Sequence, residues 1–211
     1  MDLERIREVI FEQIGNKSSH PWKEIGNKYY HGLRTAKLAL TLREIIFPDE
    51  SAKDEILTVA AWFHDIENGG EREHQTAGAE RTRLLLKPYC TEDEMEQICE
   101  IIKYHDERKG DRMDFSNILK IHQDADHLDH FGTFDIWCTF LWAIPNNKNM
   151  EEAARVFTED RPKEYDRYKS ELNFDLSKRI YSEKLSFVMD FGKRFVVESS
   201  GGIWDLKNVT I

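Results

Sequence analysis

Apolar residues recur at helical spacing along most of the chain. Ile56, Leu57, Ala60, Ala61 and His64 share one face, as do Ile98, Ile101, Ile102 and His105. Leu185, Val188, Met189, Phe195 and Val196 repeat the pattern near the end. Ser51-Ala-Lys-Asp54 and Thr91-Glu-Asp-Glu94 read as helix N-caps with an acid three residues on, each just after a proline (Pro48, Pro88). No strand-like alternation lasts long enough to build a sheet, and only Gly201 to Ile211 hints at extended structure. The pattern predicts helices at about 3–15, 22–46, 52–66, 73–87, 92–106, 115–131 and 133–144. After the break at Pro145-Asn-Asn-Lys-Asn149, it predicts others at about 150–160, 163–171 and 177–198. Ser199-Ser-Gly-Gly202 reads as a hinge before a short tail. The expected fold class is therefore all-α.

Composition narrows the function classes. The chain has 211 residues, 40% hydrophobic, with 30 Lys+Arg against 40 Asp+Glu and a formal charge of −10. An apolar share of that size suffices for a packed core, which excludes disorder. The acidic balance repels a phosphate backbone, so long nucleic acid is not an expected partner. The longest apolar runs, such as Thr58 to Phe63, fall far short of the roughly 20 residues that cross a bilayer. The first eight residues, Met-Asp-Leu-Glu-Arg-Ile-Arg-Glu, carry no apolar core of a signal peptide. Three cysteines without a CxxC pair argue against a disulfide framework or a zinc finger and favour a reducing cytoplasm.

Chemistry enters where polar residues sit on apolar faces. His64 follows Leu57, Ala60 and Ala61 on the buried stripe of its helix, and His105 follows Ile98, Ile101 and Ile102 in the same way. His31 shares a face with Leu38 and Leu42, and Asp126 with Phe115 and Leu119. One such histidine is ordinarily structural, hydrogen-bonded to a carbonyl. Several on separate helices, with Asp65 beside His64, fit a metal centre, because buried ionisable groups are costly unless paired or ligating. Imidazole mixed with carboxylate suits Mn, Fe, Co, Ni or Zn better than Ca, and Mg where phosphate oxygens complete its shell.

The order His31, His64-Asp65, Asp126 resembles the signature of the HD-domain metal-dependent phosphohydrolases. Tyr30-His31-Gly-Leu-Arg34-Thr-Ala36 is similar to that family's first ligand helix. Ala60-Ala61-Trp62-Phe63-His64-Asp65-Ile66 is similar to its small-apolar lead into His-Asp, and Gln123-Asp124-Ala125-Asp126-His127-Leu128-Asp129 to its closing segment. The resemblance spans about residues 20–145 and implies an HD-like helical bundle, with 146–198 a helical extension of a single domain (1–198) and 199–211 a tail. It implies His31, His64, Asp65 and Asp126 as ligands of a divalent ion and hydrolysis of phosphate esters or nucleotides. His74, before Gln-Thr-Ala-Gly78-Ala-Glu80, and His105, in Lys103-Tyr-His105-Asp106, extend the match. In binuclear relatives those positions hold a second ion; in mononuclear ones they contact phosphate or protonate the leaving group. The change from His-His to His105-Asp106 favours one tightly held ion, with two the alternative.

The remaining features have bland readings beside the functional ones. Glu67 could orient or deprotonate the attacking water, or merely face solvent before Asn68-Gly69-Gly70. Arg34, Lys103 and Arg81 could meet substrate phosphates, or be solvated helix residues. His122, His127 and His130 read as support or surface, Asp124 and Asp129 as groups orienting the ligands, and Phe131, Phe134, Trp137, Phe140 and Trp142 as core. The expected function is hydrolysis of a small phosphate ester, a nucleotide above all, whether a monoester or a triphosphate losing pyrophosphate. A water activated on the metal would attack, with Asp65, Glu67, His74 and His105 as the catalytic set and Arg34 and Lys103 binding substrate. The helix from Asp175 to Glu198 could cover the core or build a homodimer. Rival readings are a non-catalytic ligand sensor on the same fold and a di-iron oxygenase.

Overall fold

In a computed structural model, the described residues are 1–21, 23–67, 73–107 and 114–205. Among them every regular element is helical and none is a strand. Their contacts divide the chain into two units, Met1–Asp129 with Glu171–Ser177, and His130–Ser170 with Lys178–Ile211.

The first unit is built from α1 (Leu3–Ile10), α2 (Asn27–Ile46), α3 (Asp54–Phe63), α4 (Glu73–Leu86), α5 (Glu92–Tyr104) and α6 (Asn117–Asp129). α1 ends in a wide turn, Phe11–Gly15, and α3 is preceded by a tight 3-10 segment, Pro48–Lys53. α2 and α3 pack together, α6 lies against α2, and α5 against both α3 and α4. Ile6, Ile10, Val59, Phe63, Ile98, Ile102 and Leu119 fill the space they enclose. Each such side chain gains roughly 1.5–3 kcal/mol on leaving water, so the helix pairing is driven by this stripe.

Three boundaries differ from the pattern reading. α2 begins at Asn27 because Gly26 has φ +74°, a left-handed conformation that ends the preceding turn. Trp22, where the reading begins this helix, lies outside the described residues. Ser51 does not cap α3. It lies inside the 3-10 segment, while the Asp54 carboxylate is gripped by Arg43 through two bonds of 2.7 Å. α3 stops at Phe63, which releases His64 and Asp65 into a turn. The Thr91–Glu94 capping box forms as the spacing indicates.

The second unit carries α7 (Thr133–Ala143), α8 (Met150–Arg155), α9 (Arg161–Ser170) and most of α10 (Asp175–Ser199). Asn149 caps α8 in a second box with Glu152. Phe157, fully buried, gathers the rings of Phe140 and Phe191, and Phe131 meets the edge of Tyr181 at 4.7 Å. Arg161 holds the buried Asp135 through two hydrogen bonds, tying α9 to α7. Trp137, expected in the core, is half exposed, because α7 buries only a narrow stripe. The last six residues of the expected tail lie outside the described residues.

Candidate metal centre

His31 projects from the second turn of α2 and His64 from the turn that ends α3. Gly32 lets the two elements approach. Its missing Cβ would stand 2.8 Å from the Ala61 carbonyl oxygen and 3.2 Å from Trp62 Cα. With that contact made, His31 Nε2 lies 3.2 Å from His64 Nε2 and 3.0 Å from Asp126 Oδ1 on α6. His64 Nε2 lies 3.5 Å from the same oxygen. All three side chains are buried.

The other ring nitrogens decide which tautomers are present. His31 Nδ1 is 2.7 Å from Asp129 Oδ2, and His64 Nδ1 is 2.9 Å from the Ala61 carbonyl. Both partners only accept, so both Nδ1 atoms carry hydrogen and both Nε2 atoms present lone pairs. Two lone pairs and a carboxylate oxygen converging this closely repel one another unless a cation lies among them. Without a metal ion the cation is a proton. Burial opposes charge on His31, but the Asp126 and Asp129 carboxylates outweigh it and hold its pKa at about 9. Burial likewise opposes charge on His64, and Asp65 and Asp126 raise it overall. A donor set of this composition fits a divalent transition ion.

Asp65 extends the centre. Ligand atoms of His31, His64 and Asp65 all lie within 4.8 Å of one another, and so do those of Asp65, His74 and His105. That separation is about twice a metal–ligand bond of 2.0–2.3 Å, so either trio can close on one ion. His105 stands at the end of α5 as His64 does at the end of α3. Its Nδ1 donates to the Ile102 carbonyl at 2.7 Å, turning Nε2 inward. Asp106 Oδ2 lies 3.5 Å from His105 Nε2 and 3.7 Å from His74 Nε2. Burial and the charge of His64 depress the His105 pKa. For Asp65, burial would raise the pKa, but His64 and Lys28 outweigh it and hold the carboxyl far below its ordinary range.

The structure thus brings His31, His64, Asp65, Asp126, His74 and His105 together. It places the other candidates differently. Glu67 pairs with Arg81, which also reaches Gln13 at 2.6 Å. Arg34 grips Asp129 through Nε at 2.9 Å and Nη2 at 2.8 Å, and so steadies the carboxylate that orients His31. Lys103 is exposed, with Nζ over the Tyr104 ring. Asp124 lies away from the ligands and accepts the backbone N–H groups of Asn173 and Phe174, just before α10. His122 is fully buried, with its ring centroid 5.1 Å from that of His64 and 6.2 Å from that of His105.

Sequence reasoning missed Lys28. Its Nζ donates to the Asp65 and Glu67 carbonyls, each at 3.1 Å, and lies 3.6 Å from Asp65 Oδ2. The available signal was its place three residues before His31, on the same face of α2.

Comparison with known proteins follows the same residues. The HD domain family matches residues 29–130. No curated protein matches the sequence. Among solved structures, an HD-superfamily hydrolase from Bacillus thuringiensis superposes with a TM-score of 0.66 at 22% identity, covering 95% of this chain and 99% of that one. A predicted HD superfamily hydrolase from an uncultured Thermotogales bacterium gives 0.61 at 20%, covering 93% and 92%. Bacillus subtilis YpgQ, solved in complex with ADP, gives 0.59 at 21%, covering 93% and 96%. At these identities the superpositions establish the shared fold.

Proposed function

Since this chain is an HD-domain superfamily protein, with its HD domain at residues 29–130, we propose that it is a metal-dependent phosphohydrolase of small phosphate esters, nucleotides above all. One observation carries the reading: two ligand trios, one on the buried His31 and His64 and one on the half-buried His74 and buried His105, share the single carboxylate of Asp65. The ADP bound by YpgQ supports a nucleotide as the substrate class.

His31, His64, Asp65 and Asp126 would hold the first ion tightly, and Asp65, His74 and His105 a second one more weakly. A divalent ion bound there supplies a water of lowered pKa and a polarised phosphoryl oxygen. Asp129 and the Ala61 carbonyl keep the two Nε2 lone pairs aimed at one point, which spares reorganisation during the reaction. Asp65, reaching both trios, orients the attacking water. Glu67 is tied to Arg81, so the reading does not use it as the base. His74 and His105 meet Asp65 in the second trio. When no second ion is bound, His74 can protonate the departing oxygen, while His105, its N–H held by the Ile102 carbonyl and its pKa depressed, presents a lone pair. Arg34, engaged by Asp129, acts on His31 more directly than on substrate.

A panel of nucleoside mono-, di- and triphosphates tests the reading, assayed with Mn, Mg, Co, Ni, Fe and Zn and with His64→Ala as control. Phosphate or pyrophosphate release that needs both the metal and His64 is expected. No release with any metal, or equal release by His64→Ala, refutes it.

A further inference from the structure

Lys28 occupies the position of a tethered cation. The turn that follows α3 presents the Asp65 carbonyl, the Glu67 carbonyl and the Asp65 carboxylate toward one point, and the Lys28 ammonium fills it. The side chain is mostly buried, with 19% exposed, so water screens its charge only weakly. The Glu67 side chain pairs with Arg81, so Glu67 meets Lys28 through its carbonyl. The ammonium therefore stands beside the one carboxylate that both ligand trios need.

We propose that Lys28 is a positioning residue that limits the centre to one divalent ion at low metal concentration. The proposal rests on the metal-centre reading above. The ammonium acts in two ways with separable signatures. Its hydrogen bonds fix the turn, so that Asp65 points inward. Its charge repels any cation held beside Asp65, and the more weakly held second ion is the one this repulsion keeps out at low metal concentration. The first ion is held by two carboxylates and two imidazoles, which outweigh one nearby positive charge. The second has Asp65, already shared, and the rings of His74 and His105, which add no negative charge. A unit charge a few ångströms from a divalent ion at partly buried dielectric weakens binding by at least about tenfold. Lys28 thus explains how a chain carrying both trios can still favour single occupancy.

The test counts Mn²⁺ by the electron paramagnetic resonance of the free ion during titration of metal-stripped protein. Coupled spins then report two ions sharing a carboxylate. Lys28→Gln keeps an N–H donor for the carbonyls and removes the charge; Lys28→Arg keeps the charge; Lys28→Met removes both. Wild type and Lys28→Arg are expected to bind one ion tightly and a second weakly. Lys28→Gln should tighten the second site about tenfold or more and show the coupled signal at lower metal, and Lys28→Met should tighten it too if it folds. A second-site affinity in Lys28→Gln equal to or weaker than wild type overturns the proposal. Loss of the fold in both uncharged variants also overturns it, since Lys28 would then be a structural cation. Wild type binding no Mn²⁺ at all would instead sink the metal-centre reading itself.

Discussion

Replacing Gly32 with alanine sets two effects of opposite sign against each other. Alanine inside α2 gains about 1 kcal/mol of helix propensity over glycine. The added Cβ, however, would stand 2.8 Å from the Ala61 carbonyl oxygen, 0.6 Å inside the 3.4 Å at which ordinary contact begins. Trp62 Cα and O, both at 3.2 Å, block the other ways out. All three atoms are backbone of the opposing element, so no side chain can rotate away. Overpacking of this kind costs about 1–3 kcal/mol, and here the upper half applies, leaving a net loss of about 1–2 kcal/mol. The displacement should also reach the site, because residue 32 adjoins His31 and residue 61 holds His64. Parting α2 from α3 by a few tenths of an ångström spoils the convergence of two Nε2 atoms now 3.2 Å apart. Mn²⁺ affinity should fall at least about tenfold, equivalent to 1.4 kcal/mol. Gly78→Ala is the internal control. The nearest atoms to its Cβ would be Ile102 and Ile66 methyl carbons at 3.6 Å and His64 O at 3.9 Å, all at ordinary contact distance, so it should gain about 0.5–1 kcal/mol. Urea unfolding of the metal-free proteins and Mn²⁺ titration measure both effects. A Gly32→Ala protein as stable as wild type, with unchanged Mn²⁺ affinity, would refute the close-approach argument.

Asp129→Ala should weaken metal binding about 10–100-fold, because it frees the His31 ring and leaves Arg34 beside an emptied position; unchanged affinity in a metal-competition titration would contradict this. Arg43→Met should cost about 1–2 kcal/mol in urea unfolding, since it strands the Asp54 carboxylate at the start of α3. That carboxylate is one-third exposed, and so the loss is smaller than for a fully buried pair. Saturating Mn²⁺ at about 100 times its dissociation constant should stabilise wild type by about 2.7 kcal/mol. A chelator should abolish that gain, and His64→Ala should show none of it; equal metal stabilisation of His64→Ala would place the ion elsewhere.

Periodicity alone determined the helices, and the reason is local. Long stretches with few glycines and prolines leave the 3.6-residue stripe as the main signal, and Thr91–Glu94 marks a start whose partners lie three residues apart. The same locality made His31, His64 and Asp126 conspicuous as polar residues on faces that must be buried, with Asp65 marked by its place beside His64. What the sequence could not carry were relations between residues distant along the chain. Asp54 sits where a cap box would want it, yet Arg43 claims it from another helix. Arg34 and Arg81 carry the charge a phosphate would need, yet Asp129 and Glu67 take them. Each case is a competition among partners that only proximity resolves. The tertiary structure likewise decided that Asp65 belongs to both trios and that Lys28 stands against it. The packing of α2 on α3 through Gly32 sets both relations, and a contact between backbones leaves no periodic trace in sequence.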